Sequence, residues 1–435
     1  MSVILTQKYA YIIEEKGFKR FLYLIVSIFP LLKDIVKSGK HRELVSFSIW
    51  EILYGLKFYS KKSVVKFDDF KPFVLNDETD IKKVRFDISK SSFEIKKSSF
   101  DWKVRFVDKD GDIYGTLADN DKVFYKKAKN ANEVERLYIF EDIVNSLFIS
   151  GKGTILVCSC GNLYRSEDRG RTFKRVLSLT NPKNPQSYIF HTNGFTHCGE
   201  EVILVGEYGN VAKDGRWMNV ANIYKSVDDG RQWQKSEFLK NMGINKHVHM
   251  IKYSEVLKRV FLTDGDNLKK LWISTKEGDF DHNKEWRLIN RFHIQMGGYT
   301  SLCEVDDTVF LGTDYLGGTN FIVSTKDGEN FVKKVIPDPY RRSPVMNLQT
   351  LSFAKESLIW AILHNPISSK TKCLLMCSDN GAKSWKRVIE YDGTIFEIEL
   401  NSDREKKDES ITFLLTDKRE NAATCFEISK RATSD

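Results

Sequence analysis

The sequence predicts an all-β fold of radially repeated blades, a β-propeller of seven blades with six as the alternative, preceded by a small α-helical segment. Three observations predict it. A short turn pattern, Ser-x-Asp-x-Gly-x-x-aromatic, returns along the chain with a period near fifty residues. Between the copies the apolar residues alternate with period two, as half-buried strands do. Only the first sixty residues carry apolar positions at helical spacing. A fixed period of that length, with strands between, is the mark of a closed array of sheets.

The turn is clearest at Ser226-Val-Asp228-Asp-Gly230-Arg-Gln-Trp233. Ser and Asp oxygens accept backbone N–H bonds across such a turn, Gly takes the positive φ, and the aromatic ring folds back over the hairpin. A second full copy is Ser166-Glu-Asp168-Arg-Gly170-Arg-Thr-Phe173. Imperfect copies start at Ser324, with Asp327 displaced by one, at Ser274, whose aromatic partner Trp286 follows an insertion, and at Ser378, where Asn380 replaces Asp and Ala382 replaces Gly. The five serines are 60, 48, 50 and 54 residues apart. The pattern resembles the Asp-box (BNR) repeat proteins, a group that includes sialidases and many carbohydrate-acting propellers, over roughly residues 90–430. The resemblance implies that the boxes hold the outer hairpins and lie away from the binding face.

Residues 1–75 read as a helical segment, either a cap on the propeller or a membrane-surface anchor, and residues 76–435 as the propeller. Tyr9, Ile12, Ile13 and then Phe21, Leu24, Ile25, Ile28 fall at helical spacing, and a second helix spans about Glu43 to Phe58. The longest apolar run, Phe21 to Leu32, is interrupted by Pro30 and is shorter than the about twenty residues a bilayer needs. Residues 1–75 hold 13 Lys/Arg against 7 Asp/Glu, so +6 of the net +9 lies there. A basic, apolar segment of this kind suits peripheral contact with an anionic membrane through residues 1–60. No basic run with interleaved aromatics points to nucleic acid. No signal peptide is read at the start, and the odd number of irregularly spaced cysteines, seven, suits free thiols, so the expected location is cytoplasmic with membrane association as an addition.

The first blade begins with Trp102 to Val107 and Ile113 to Leu117. Later blades centre on Gly153–Val157, Glu201–Val205, Val260–Thr263, Asp307–Leu311 and Leu358–Ile362. The seventh takes Ile395–Leu400, Ile411–Leu415 and Cys425–Ile428, and a strand from residues 64–90 is expected to close the ring.

Polar residues recur where inner strands begin and where the next strands end, which points to one shared funnel. Glu207, Asp264, Asp314 and Tyr208 are the candidate catalytic groups. His191, Gln295, Asp266, Asn347 and His364 are candidates for binding substrate. His247 and His249, two apart on a strand, share a face and could hold a divalent metal. The set Gly206-Glu207-Tyr208-Gly209, His247-x-His249, Thr263-Asp264-Gly265-Asp266 and Gly312-Thr313-Asp314 is similar to uncharacterised Asp-box propellers described as sialidase- or glycosyl-hydrolase-like. The Arg-Ile-Pro motif of true sialidases is absent, and Arg341-Arg342-Ser343-Pro344 does not replace it. The expected function is a glycoside hydrolase or lyase acting on a bacterial-type polysaccharide or glycoconjugate. The alternative is a non-catalytic propeller that binds a glycan or a protein.

Overall fold

The computed structural model describes residues 17–37, 41–86, 91–182, 186–198, 201–209, 212–213, 216–217, 220–244, 246–265, 269–274, 285–289, 298–353, 356–404 and 410–431. Seven antiparallel sheets follow one another round a ring. The innermost strands of blades 1, 2, 4, 5, 6 and 7 are Trp102–Val107, Val144–Ile149, Val248–Ser254, Gly298–Val305, Val345–Phe353 and Phe396–Leu400. Blade 3 differs. Its inner edge is two short strands, Ser187–Ile189 and Phe195–Cys198, both paired with Val202–Gly209.

Consecutive blades share an apolar core. Blades 6 and 7 enclose Trp360, Tyr391, Phe396 and Phe413, and blades 1 and 2 enclose Phe106, Phe124, Leu147 and Val157. The smallest interface, between blades 7 and 1, is built on Trp102, Leu414 and Cys425. Strands buried on both faces explain the continuous apolar runs in the middle strands, such as Leu358 to Leu363.

The ring closes through Phe93–Lys97, which pairs antiparallel with Ala422–Lys430 as the outer strand of blade 7. The expectation that residues 64–90 close it is therefore corrected. Both stretches have strand-like patterns, and the pairing partner is more than 300 residues away in sequence. Residues 64–75 instead brace blades 5 and 6. Val65 N–H donates to the Val335 carbonyl, Trp385 N–H to that of Lys66, and Phe73–Val74 pairs parallel with Ile389 and Glu390. Parallel pairing of Ser402–Arg404 with Arg105–Val107 ties blade 7 to blade 1 from inside.

The repeated turns behave as their chemistry dictates. Asp228 Oδ1 accepts from Ser226 Oγ at 2.8 Å and from the Arg231 and Gln232 amides, while Gly230 N–H donates to Ser226 Oγ. Asp168 holds the same bonds. Burial opposes its charge, but donation from Thr172, Ser166 and Arg171 holds the carboxyl at about 2. In the copy expected at Ser324, the hydroxyl in use belongs to Thr325, which accepts the Gly328 N–H at 2.9 Å. At Ser378 the turn survives with Ala382 at φ 60°, a left-handed position that Gly fills elsewhere. These turns join third to fourth strands, so they fall at the blade ends opposite the polar cluster described next.

Candidate functional site

Five inner strands carry a one-residue bulge near their start. The register slips between Trp102 and Val104, Val144 and Ser146, Val248 and Met250, Tyr299 and Ser301, and Val345 and Asn347. The extra residues are Lys103, Asn145, His249, Thr300 and Met346. A bulge re-aims a side chain and is a common device beside active sites. Here it recurs at one level around the axis, at the mouth of a central well.

The well has a floor. Between the two short strands of blade 3, residues His191, Thr192 and Asn193 reach across the axis. His191 Nδ1 accepts the Leu147 N–H at 3.5 Å, so its Nε2 carries the proton and donates to the carbonyls of Arg105 (3.2 Å) and Asn401 (3.0 Å). Burial lowers the pKa of this ring, which keeps it neutral. The Asn347 amide donates to Thr192 Oγ, and Ile251 N–H donates to the Asn193 carbonyl. Three consecutive residues thus join blades 1, 2, 4, 6 and 7. Thr192 sits at φ 68°, an outlier for a β-branched residue, and backbone in such a region persists where its surroundings over-determine it. The floor contacts lie one or two residues beyond the bulges, about 3–7 Å deeper at the rise of a strand. His191 and Asn347, expected to bind substrate, are placed in this floor.

One wall is aromatic. Strand alternation sends Glu207 into blade 3 and Tyr208 out of it. The Tyr208 ring lies 4.2 Å from those of Phe190 and His247 and 4.9 Å from Tyr188, centroid to centroid. His247 and His249 stack at 4.8 Å with an interplanar angle of 7°. His247 Nδ1 is 3.0 Å from the Gly209 carbonyl and must donate to it. Its Nε2 is therefore an acceptor facing His249 Nε2, 3.1 Å away. On the far side of His249, Nδ1 lies 3.6 Å from Asp314 Oδ2. His249, His247 and the Gly209 carbonyl form a hydrogen-bonded chain beside Tyr208, with Asp314 beyond hydrogen-bond distance but within ion-pair reach of a protonated His249.

Both imidazoles rest on Gly265. A Cβ there would lie 2.1 Å from His247 Nε2 and 2.6 Å from His249 Nε2. Gly265→Ala is expected to cost about 1–3 kcal/mol, as overpacking does, and to displace both rings. Chemical denaturation measures the loss, and the histidine ring resonances report the displacement. Gly265 also occupies the side where the two Nε2 atoms converge. Among the described residues no three His, Cys, Asp or Glu side chains form a metal-holding group. Asp266 and Gln295, expected to bind substrate, lie outside the described residues.

Two of the expected acids are structural. Glu207 is fully buried and accepts from Thr180 N–H, Thr180 Oγ, Ser187 Oγ, the Asn222 amide and Tyr224 OH, all within 2.8–3.0 Å. Five donors saturate its oxygens, and it does not reach the well, so its assignment as a catalytic acid is corrected. Asp264 is fully buried and accepts the amides of Lys269 and Lys270, an anchor for that loop rather than the catalytic group expected of it. His364 is buried, with Nδ1 3.3 Å from Tyr391 OH and Nε2 3.8 Å from Glu397. Burial lowers its pKa to about 4, against the pull of Glu397.

The acid that the sequence reading missed is Glu399. On strand Phe396–Leu400 the apolar residues Phe396, Ile398 and Leu400 enter the core between blades 6 and 7, which turns Glu397 and Glu399 the other way. Glu399 is exposed to solvent. Desolvation by the protein packed about it and the neighbouring Glu397 push its carboxyl up to about 7, while Lys103 and Lys418 act in the opposite sense. Across the axis, the Tyr188 hydroxyl is raised by burial, then by Tyr208, then by the Glu399 charge. Blades 3 and 7 are three positions apart round the ring, so this coupling spans the well. Glu399 faces the aromatic and imidazole wall.

No protein-family model matches the chain, and no curated protein matches it in sequence. Solved structures do match. A streptogramin B lyase aligns with TM-score 0.51 at 13% identity, over 78% of this chain and 98% of its own. A catalytically inactive histidine-to-alanine variant of virginiamycin B lyase from Staphylococcus aureus, with quinupristin, aligns at 0.52 and 14%, over 78% of this chain and 100% of its own. A chain of the mitotic checkpoint complex aligns at 0.50 and 11%, over 84% and 98%. At such identities the likeness is one of fold. The class these observations define is a seven-bladed β-propeller with a floored polar well on its axis.

Proposed function

We propose that the well is a catalytic site for acid–base chemistry on a hydroxyl-rich ligand, a glycan or glycoconjugate, by hydrolysis or elimination. The observation that carries the reading is the cluster of Tyr208, His247, His249 and Asp314 gathered at one end of the axis, with Glu399, an exposed carboxyl pushed up to about 7, on blade 7 across from it. A proton-transfer group works best with its pKa near the operating pH, and groups so perturbed in a cleft concentrate at functional sites. The aromatic faces of Tyr188, Phe190 and Tyr208 offer apolar contact to a sugar ring. Glu397 and Glu399, two apart on one strand face, sit about 7 Å apart along the backbone. The histidine pair, hydrogen-bonded to each other and to the Gly209 carbonyl, can hold a proton on the facing wall, where Asp314 would favour the charged form.

The same reading takes the turns at Ser166, Ser226, Thr325 and Ser378 as Asp boxes, and the chain as an outlying member of that group. All seven cysteines are free and buried, which suits a reducing, cytoplasmic compartment. The test is a screen of neutral and acidic oligosaccharides for new reducing ends or unsaturated products, run with the wild type and Glu399→Gln. Turnover lost in the variant supports the reading. Saturable binding that is unchanged in the variant, with no turnover of any ligand, would assign the well to recognition alone.

A further inference from the structure

The helical segment presents a wide apolar face to solvent. Helix α1 spans Gly17–Lys37 and packs against α2, His41–Gly55. Among the described residues of the pair, those buried are Ser27, at 6% exposure, and Ser46, at 4%, and Leu31, on the side of Ser27, is half-buried. On α1, Leu22, Ile25, Phe29, Leu32 and Val36 recur at spacings of three and four and are all exposed, Phe29 at 78%. Ser27 is two residues from both Ile25 and Phe29, so it lies on the opposite side. Val26 and Ile28, also exposed, widen the apolar face to roughly 160° of the helix. A soluble helix buries such a face and exposes its serines.

Helix α2 is fixed to the propeller at the end where the well opens. Glu51 pairs with Arg341 and Arg342, Arg341 covers the Tyr54 ring at 4.2 Å, and Trp50 meets Phe321 edge-on at 4.8 Å. Phe47 meets Tyr315, the residue after Asp314. Among the described residues no helix is long and apolar enough to cross a membrane.

We propose that α1 lies in the surface of an anionic membrane, and that the segment 1–75 docks the propeller there with its well facing the bilayer boundary. Two features select this occupant over another helix. The apolar face is wider than the narrow seam of a coiled coil. The helix also carries Lys19, Arg20, Lys33 and Lys37 against Asp34 alone, complementary to acidic headgroups. The proposal is independent of the chemistry assigned to the well.

The test is co-sedimentation of the full chain with vesicles of phosphatidylglycerol and phosphatidylcholine, and with phosphatidylcholine alone. The wild type is expected to bind the mixed vesicles at least tenfold better, with release at high salt. Phe29→Asp with Leu32→Asp should reduce that binding at least tenfold while the thermal midpoint stays unchanged, because both side chains are exposed. Lys33→Gln with Lys37→Gln should remove the preference for acidic lipid. Equal binding to both vesicle types, or none to either, overturns the proposal. A dimer in solution that Phe29→Asp with Leu32→Asp converts to monomer, without vesicle binding by the wild type, would reassign the face to a contact between two copies.

Discussion

Glu207→Ala is expected to destabilise the propeller by more than about 1–3 kcal/mol, the cost of one unsatisfied buried polar group, because it deprives several neutral donors of their acceptor at once. The carboxylate accepts from Thr180, in the segment between blades 2 and 3, and from Ser187, Asn222 and Tyr224 of blade 3 itself. Removing it strands five donors where water does not reach, and each unsatisfied buried group costs about 1–3 kcal/mol without strict additivity. Glu207→Gln keeps the shape but presents an NH2 to donors that need an acceptor, so a loss of about 1–3 kcal/mol is expected. Denaturant titration measures both, and the slope should not change. Any turnover in the well should persist per folded molecule in Glu207→Gln. A variant of normal stability that has lost turnover would return Glu207 to the catalytic set.

The distinction between Glu207 and Tyr208 shows where sequence reasoning reaches and where it stops. Alternation places adjacent residues on opposite faces, and the strand does run through both. It does not say which face is the well. The turn chemistry at Ser166 and Ser226 set the period, and the period set the blades, because those bonds are local and fixed by residue type. The closing strand is non-local, and residues 64–90 and 93–97 offered similar patterns for it. Bulges defeat the reading more thoroughly. One extra residue at Lys103 or Met346 inverts the phase of alternation at the mouth of the well, where the phase matters. Asn347 was singled out one position away from Met346. Glu399 reads locally as one more solvent-facing acid in Phe-Glu-Ile-Glu-Leu. Its raised pKa comes from the protein packed about it and from Glu397, and Lys103, some 300 residues earlier, opposes both.

Glu399→Gln is expected to lower turnover in the well by about 10²–10⁴-fold, the contribution of a positioned proton-transfer group. The wild-type pH profile should carry one limb near pH 7, and that limb should vanish in the variant. The signs of its neighbours sharpen the test. Glu397 raises the Glu399 pKa, so Glu397→Gln should move the limb to lower pH. Lys103 lowers it, so Lys103→Met should move the limb to higher pH. The same ionisation couples to folding. Because the folded pKa lies above the unfolded one, the stabilising contribution of the protonated carboxyl is complete below about pH 4.5 and is lost as pH rises through about 7. Glu399→Gln mimics the protonated form and should flatten that part of the stability profile. A merely solvated Glu399 would leave both profiles unmoved by the change at Lys103, which makes the lysine variant the more decisive of the two. It alters neither the carboxyl nor the backbone at Glu399, and because it also removes the ion pair between Lys103 and Asp121, Asp121→Asn is its control.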